Sequence, residues 1–572
     1  MSRIRVWAPH ASTVELVVGG NRTELSPEGE GWFTAEAPTA DYLLSLDGGS
    51  PRPDPRSGWQ PTGVHGPSRV VDHDAFEWRD HAWTGFPLSA AVIYELHVGT
   101  FSSEGTFEGV IDKLDHLATL GINAVELMPV NEFPGARGWG YDGVDLYAPH
   151  HAYGGPEGLK RLVDACHARG LAVVLDVVYN HLGPAGNYLR EFGPYFTDKY
   201  GTPWGEAVNL DERGSPEVRN FFIDNALGWF ENYHVDGLRL DAIHAIYDQS
   251  AVHFLEEMST RVDALEGMGR NLWLIAESDL NDPRIVRPRE AGGYGIDAQW
   301  SDDLHHSLHA AITGERTGYY SDFGAVADIA KALQHAFVYD GRLSGFRQRI
   351  HGRPTAGLDG HRFLGYLQTH DQVGNRARGD RTSALISNDL LKVGAALVMT
   401  SPFVPMLFQG EEWGATTPFL YFTDHDDPEL GRAVRDGRRR EFAGFGWNPE
   451  DIPDPQDLAT FEHSKLDWAE LNDQPHADLL EWHKRLIRLR REWPELSDGR
   501  MNDVQTRFDE EERWIVITRG PVEVAANLSK ERARVPAASA KVLLSSTKEP
   551  VATGDYLELE PESVVIYQRP TA

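Results

Sequence analysis

The sequence predicts an α/β chain whose centre is a closed (β/α)8 TIM barrel, preceded by an N-terminal β-sandwich and followed by an all-β domain. Three observations carry that prediction. Strand-like runs alternate eight times with helical patterns between about residues 90 and 493, which means a parallel sheet and, at eight repeats, a barrel. Those strand runs are apolar at consecutive positions, as a wall buried on both sides requires. At both ends of the chain the rhythm changes to short alternating strands. The expected divisions are residues 1–85 (a carbohydrate-binding-like sandwich), 86–498 (the barrel) and 499–572.

In order, IRVWA, TVELVV and GWFTAEA alternate in the first segment, separated by turn signals such as GGN and SPEGEG. The barrel opens with AAVIYELHV. Helical periodicity over Phe107 to Leu120 then stops at Gly121, and INAVELMPV is the second strand. LAVVLDVVYN, VDGLRLDAI and NLWLIAES read as the third to fifth strands, separated by helices at 158–169, 216–233 (with Ser215 as N-cap) and 249–265 outside them. IDAQW, RFLGYLQTH and FVPMLFQG complete the eight. Helices are expected at 325–337, 388–399 and 477–493. The longest irregular stretch, about 416–474, follows the eighth strand, and long loops in compact domains are usually functional. RWIVITR, VEVAANL, KVLLSS and SVVIYQR form the C-terminal β-region.

Composition narrows the function. The 572 residues carry 54 Lys+Arg against 87 Asp+Glu, a net charge of −33, which argues against nucleic acid and against anionic membrane surfaces as partners. A single cysteine, Cys166, excludes intrachain disulfides and Cys-rich zinc sites. The chain begins without a signal-type apolar run and contains no stretch of 18 apolar residues, so the expectation is a soluble cytoplasmic protein.

Barrel enzymes work at the C-terminal ends of their strands. Strand 3 ends in DVVYNH (176–181), strand 4 in GLRLDAIH (237–244), strand 5 in AESD (276–279) and strand 7 in THDQ (369–372). Three carboxylates, Asp241, Glu277 and Asp371, therefore converge on one rim with His181, Arg239 and His370. Carboxylates held together titrate apart, which suits one neutral acid that protonates a leaving glycosidic oxygen and one carboxylate that attacks carbon; the sequence does not give the separation that divides retaining from inverting enzymes. Arg239 stands two residues before Asp241, on the same strand face, where its charge favours an ionised Asp241. Any one carboxylate at a strand end is more often a cap or surface group. Four motifs in this order are much harder to obtain by chance.

DVVYNH, GLRLDAIH, IAESD and THDQVGN resemble the signature regions of the α-amylase superfamily of glycosidases, and MPVNEF at 128–133 resembles a further, weaker one. The resemblance implies a retaining double displacement in which Asp241 is the nucleophile, Glu277 the general acid/base and Asp371 the transition-state stabiliser. It places Tyr141, His181, Arg239 and His370 at the sugar in the cleavage subsite. It extends the substrate-binding set to Leu240, Ala242, Ile243, His244, Gln372 and Asn375. His244 follows the nucleophile at three residues, where members often carry a histidine at four. Longer segments, QWSDDLHH (299–306), FTDHDDPEL (422–430) and GRRREFAGFGW (437–447), resemble the branch that releases trehalose from maltooligosyltrehalose. That likeness adds Asp302, Asp303, Leu304, His305 and His306 as sugar ligands. It also implies functional coupling to a maltooligosyltrehalose synthase. The alternative kept open is glycogen branching or debranching.

Other motifs lead less far. Gly138 to Gly143 spells GxGxxG, but no helix follows as a dinucleotide site requires. His305 and His309 have the i,i+4 spacing of metal ligands, but after strand 6 the resemblance implies that they hydrogen-bond sugar instead. No cofactor and no bound metal are expected; the connection after strand 3 is short, and Asn180 alone matches the superfamily's calcium ligands. The Arg run 438–440 is expected to have a local salt-bridge or loop-anchoring role. Phe419, Tyr421, Phe422, Phe445 and Trp447 could either pack the long loop or stack on sugar.

Overall fold

A computed structural model describes residues 3–267, 269–443, 448, 451–537, 541–548, 550–553 and 556–569. Phe445 and Trp447 lie outside them. The eight barrel strands are β1 (Ile93–Leu96), β2 (Ala124–Leu127), β3 (Ala172–Val177), β4 (Gly237–Leu240), β5 (Trp273–Ala276), β6 (Ala298–Trp300), β7 (Phe363–Gly365) and β8 (Val404–Phe408). They pair in sequence order and close on themselves, β8 beside β1, with every pair parallel. Two three-stranded antiparallel sheets precede the barrel, and a five-stranded and a three-stranded sheet follow it.

The barrel interior is filled by alternate residues: Ile93, Ala124, Ala172 and Val174, Trp273 and Ile275, Ala298 and Trp300, Leu364 and Val404 form one buried cluster. On β4 the inward positions are Gly237 and Arg239. A Cβ on Gly237 would stand 3.1 Å from Val174 and 3.3 Å from Trp273, tighter than ordinary van der Waals contact, so a larger residue there would have to push these neighbours back. Arg239 pairs in register with Asp176 on β3, which brings a cation and an anion into the barrel at one level.

Several local expectations shift. The pattern over 107–120 is two helices, Phe107–Ile111 and Leu114–Leu120. The helix after β3 spans Ser215–Asn232, and its N-cap is Gly214 in the left-handed region at φ 87°, a conformation that suits glycine rather than serine. The next helix, Phe254–Glu266, starts after His253, whose ring accepts from the Leu255 N–H. The stretch at 416–474 is not irregular throughout. It contains a helix at Pro428–Ala443 and a short one at Leu458–Glu462.

At the opposite end of the barrel from the carboxylates, fully buried Asp236 accepts from Trp83 Nε1 at 2.7 Å, His167 Nε2 at 2.9 Å and the Val173 N–H at 2.8 Å. His167 also donates to Asp80 at 2.8 Å, so one imidazolium bridges two carboxylates. Burial alone would lower the His167 pKa, but Asp236 and Asp80 together raise it. Asp236→Ala leaves the His167 cation with Asp80 alone and strips the Trp83 and Val173 donors of their acceptor, and is expected to cost about 3–5 kcal/mol. A urea midpoint within error of the parent protein would show that the bridge contributes little.

Candidate active site

The rim is built on a buried chain of charges. Glu95, on β1, accepts from the His370 backbone N–H at 3.0 Å and from its Nδ1. His370 Nε2 lies 2.8 Å from the Tyr141 hydroxyl, which donates to Asp176 Oδ2 at 2.6 Å. Arg239 Nη1 donates to both Asp176 oxygens, at 3.0 and 2.9 Å, and to Asp241 Oδ1 at 2.7 Å. Burial would lower the His370 pKa, but Asp371 and Glu95 raise it to about 9, so the ring is an imidazolium at neutral pH. It then donates from both nitrogens, to Glu95 and to Tyr141. Arg239 packs its guanidinium 4.4 Å above the Trp300 ring, which fixes its plane.

The two carboxylates flanking Arg239 are driven in opposite directions. Asp241 Oδ2 accepts from Asn180 Nδ2 at 2.7 Å while Oδ1 takes Arg239. Burial would raise its pKa, yet Arg239, His181 and Asn180 hold it below the usual carboxylate value. Glu277 is 3.9 Å from the Arg239 Nη2 and accepts from the Ala242 N–H at 2.6 Å. Burial pushes its pKa well up, and the charges of Asp241, Asp302 and Asp371 push the same way. Ala242 adopts φ 41°, a left-handed conformation that aims its N–H at Glu277. Asp371 sits in the first turn of a short helix, His370–Gly374, capped by Thr369, and accepts from Asn375 Nδ2 at 3.1 Å.

Tyr141, His181, Arg239, Asp241, Glu277, His370, Asp371 and Asn375 are thus connected around one centre. His181 is 8% exposed, and its Nε2 lies 3.0 Å from the Tyr141 carbonyl. Asp302 joins the group. It accepts from the Tyr366 hydroxyl at 2.6 Å, and burial lifts its pKa to about 7. Leu240 and Ile243 contribute through backbone. The Leu240 carbonyl accepts from the Glu277 N–H at 3.0 Å, and the Ile243 N–H donates to the Glu277 carbonyl at 3.1 Å. His244 is half-buried, with Nδ1 buried and unpartnered among the described residues.

Three expectations need correction: Asp303, Leu304 and His305. Asp303 is a brace: its Oδ2 accepts from Asn281 Nδ2 and from the Val338 and Tyr339 N–H groups. Leu304 is fully buried in the core. His305 is fully buried with Nδ1 on the Leu367 carbonyl and Nε2 on the Tyr320 hydroxyl. The cause is geometric. Residues 302–306 lie on a helix, Asp302–Thr313, and consecutive residues of a helix turn away from one another. Gln372 is half-buried at the rim, and its amide oxygen accepts from Thr369 N–H and Oγ1, closing the capping box. His306 keeps 8% exposure among the rings of Tyr319, Tyr320 and Phe323, and His309 bonds Glu315 at 2.8 Å instead of a sugar.

Some site residues were not singled out from sequence. Trp204 is 48% exposed and stacks on His181, with ring centroids 4.4 Å apart and planes at 7°. It extends the rim with a flat apolar face. Glu95 could have been found, because a carboxylate inside an apolar strand run must be paired to be tolerated. Of the long-loop aromatics, Phe419 and Phe422 are fully buried with Trp139 and Phe408, so they pack the loop. Arg438 anchors it: the guanidinium lies 4.7 Å over Tyr421 and donates to the Gly374 carbonyl at 3.0 Å and Asn375 Oδ1 at 3.1 Å. Among the described residues one cluster has its His and carboxylate ligand atoms close enough to hold a metal ion, Glu132 with His150 and His151, and within it Glu132 is hydrogen-bonded to His151 Nδ1 at 2.7 Å. Asn180 is committed to Asp241. Among the described residues no helix is long and apolar enough to cross a membrane.

Comparison with known proteins follows the same lines. Residues 67–200 match the family model described as the alpha amylase catalytic domain, and residues 499–566 match a domain of unknown function, DUF3459. A malto-oligosyltrehalose trehalohydrolase of Arthrobacter ramosus is 51% identical over 97% of this chain and 98% of its own length. The chain belongs to the malto-oligosyltrehalose trehalohydrolase family. A member of that family from Mycobacterium tuberculosis is 47% identical over 99% of both chains. A 1,4-alpha-glucan branching enzyme of Bacillus caldolyticus is 32% identical over 52% of this chain and 51% of its own length, so the family match, not the branching one, spans the molecule. Among solved structures, a putative alpha amylase from Salmonella typhimurium superposes with a TM-score of 0.91 at 38% identity, covering 99% of this chain and 97% of its own. A pullulanase from Paenibacillus barengoltzii reaches 0.74 at 19% identity, covering 100% and 94%, and shares the fold. Like the family, this chain is a glycoside hydrolase on a TIM barrel with flanking β-domains.

Proposed function

We propose that the chain hydrolyses the α-1,4-glucosidic bond next to the terminal trehalose of maltooligosyltrehalose, releasing trehalose and a maltooligosaccharide with retention at the anomeric carbon. The observation that carries this reading is the placement of two carboxylates about one guanidinium: Asp241 bonded to Arg239 at 2.7 Å, and Glu277 3.9 Å from its other side and held by the Ala242 N–H. In the first step Asp241 Oδ attacks the anomeric carbon, and the Glu277 carboxylic acid gives its proton to the departing glycosidic oxygen. In the second, Glu277, now ionised, takes a proton from water as the water oxygen attacks the same carbon and releases Asp241. Asp371 stabilises the positive charge that develops on the ring between them. Tyr141, His181, Arg239 and His370 orient the sugar, and Trp204 offers a stacking face beside them.

Full-length likeness to trehalohydrolases supports the choice of bond. The same reading makes the substrate the product of an enzyme that builds a trehalosyl end on a maltooligosaccharide. It also makes the chain a cytoplasmic protein, to which a lone, buried, unpaired Cys166 is suited. Incubation with maltotriosyltrehalose followed by chromatography of the products is the test, with trehalose and maltotriose expected in equal amounts. Cleavage of α-1,6 branches, or transfer of a segment to a new α-1,6 position without free trehalose, would overturn the reading.

A further inference from the structure

Arg438 lies half-buried on the helix Pro428–Ala443, in the long segment that follows β8. We propose that Arg438 is a positioning residue for the hydrolysis: it fixes the side-chain amide of Asn375, and Asn375 in turn holds Asp371 in place. The inference rests on the proposed function, because it takes Asp371 to be the group that stabilises charge on the sugar ring.

A chain of hydrogen bonds runs one way from Arg438 to the rim. Arg438 Nη1 donates to Asn375 Oδ1 at 3.1 Å, and Asn375 Nδ2 donates to Asp371 Oδ1 at 3.1 Å. A guanidinium only donates, an ionised carboxylate only accepts, and an amide has one end of each kind. Arg438 therefore decides which end of the amide faces Asp371. Without it the amide is free to turn its oxygen toward the carboxylate, where two acceptors repel. Among the described residues, Asn375 supplies the hydrogen bond to the Asp371 carboxylate, while His370 Nε2 stands off at 3.5 Å. The same guanidinium caps the helix that carries Asp371. Its Nη2 donates to the Gly374 carbonyl at 3.0 Å, and the last carbonyls of a helix have no partner within it. Gly374 is also pressed against Trp139, since a Cβ there would stand 2.1 Å from the indole. Trp139 is buried, and its Nε1 donates to the Leu420 carbonyl at 2.9 Å. Asp371 thus stands in the first turn of a five-residue helix whose far end is set by Trp139 and Arg438.

The choice of arginine fits that task. A planar fork serves two acceptors at once, and the Tyr421 ring, 4.7 Å from the guanidinium, fixes its plane. The long segment has other anchors as well, so its fold does not depend on Arg438. Arg137 pairs with Asp424 at 2.8 Å and donates to the Gln456 carbonyl at 3.1 Å. Gln456 Oε1 accepts from the His425 N–H at 3.1 Å, and its Nε2 donates to the His425 carbonyl at 3.0 Å. Phe419 and Phe422 are fully buried between these points and the barrel.

Steady-state kinetics on maltotriosyltrehalose for Arg438→Met, Asn375→Ala and the double variant test the coupling. Each single change is expected to lower kcat about 100-fold with KM within about threefold, since a displaced group at the reacting centre costs turnover rather than affinity. Because Arg438 acts through Asn375, the double variant should lose no more than about threefold beyond Asn375→Ala alone. Losses that multiply, parent-like turnover in Arg438→Met, or a loss confined to KM would each overturn the proposal. Asn375→Asp separates holding the loop from placing Asp371. Its carboxylate still accepts from Arg438 but cannot donate to Asp371, so the urea midpoint should hold while kcat falls by the same factor. Parent-like kcat in Asn375→Asp would reduce Arg438 to a loop anchor, and this variant decides alone should Arg438→Met not fold. A crystal structure of Arg438→Met gives a readout that needs no substrate. The Asn375 amide is expected to have left Asp371, and an Nδ2 to Oδ1 bond of the parent length would overturn the proposal. A parent protein that releases no trehalose would refute the proposed function and leave this structural result standing.

Discussion

Asp241→Asn is expected to lower kcat/KM by a factor of about 10,000 to 1,000,000 while the chain stays folded. An amide oxygen is neutral and a poor nucleophile, so no glycosyl-enzyme bond forms at a useful rate. The fold should survive because the change is nearly isosteric and the neighbouring groups keep other partners. Arg239 retains both Asp176 oxygens, and Asn180 still donates to the backbone carbonyl of residue 241. Steady-state kinetics on maltotriosyltrehalose, beside a urea titration of the same preparation, separates the two effects. Turnover within tenfold of the parent, from a variant with an unchanged unfolding midpoint, would remove Asp241 from the nucleophile's role. A matching loss in Arg239→Lys would be read differently: the ammonium keeps the charge but loses the planar fork that bonds Asp176 and Asp241 at once.

The barrel was legible because its signal is repetitive. Eight apolar runs separated by helical ones leave few alternatives, and the C-terminal strand ends are then fixed positions. The catalytic carboxylates follow from that, since period two on β4 puts Gly237, Arg239 and Asp241 on one face. What the sequence could not rank was direction on helices and reach between distant segments. QWSDDLHH reads as one polar patch, but the helix carries Asp302 to the rim and turns Leu304 and His305 into the core. Trp204 lies on a hairpin, Phe196–Thr202 with Gly205–Val208, whose sequence says nothing of His181. Arg438 was expected to have a local salt-bridge or loop-anchoring role, and among its contacts are a carbonyl and an amide of the segment carrying Asp371, which only the folded chain brings about. The N-terminal strands at 21–24, 26–29 and 43–46 escaped because two of them are exposed throughout and lack alternation.

Glu277→Gln is expected to cost about 100- to 10,000-fold in kcat/KM and to change the shape of the pH profile as well as its height. In the parent protein the competent state has Glu277 protonated and Asp241 ionised. Burial first, then Asp241, Asp302 and Asp371, raise the Glu277 pKa, so activity is present below that value and falls as pH rises through it. Asp241 is held low by Arg239 against burial, so the acid limb appears only as pH falls through that depressed value. Glutamine does not titrate, so the alkaline limb should disappear and the residual rate should stay level on that side. The loss should also shrink on an aryl α-glucoside whose leaving group needs no proton, because only the acid's contribution has been removed. The rival for the alkaline limb is Asp302, pushed up to about 7 by burial and bonded to Tyr366. If Glu277→Gln keeps the parent's alkaline limb and Asp302→Asn abolishes it, the limb belongs to Asp302, and Glu277 is not the proton donor.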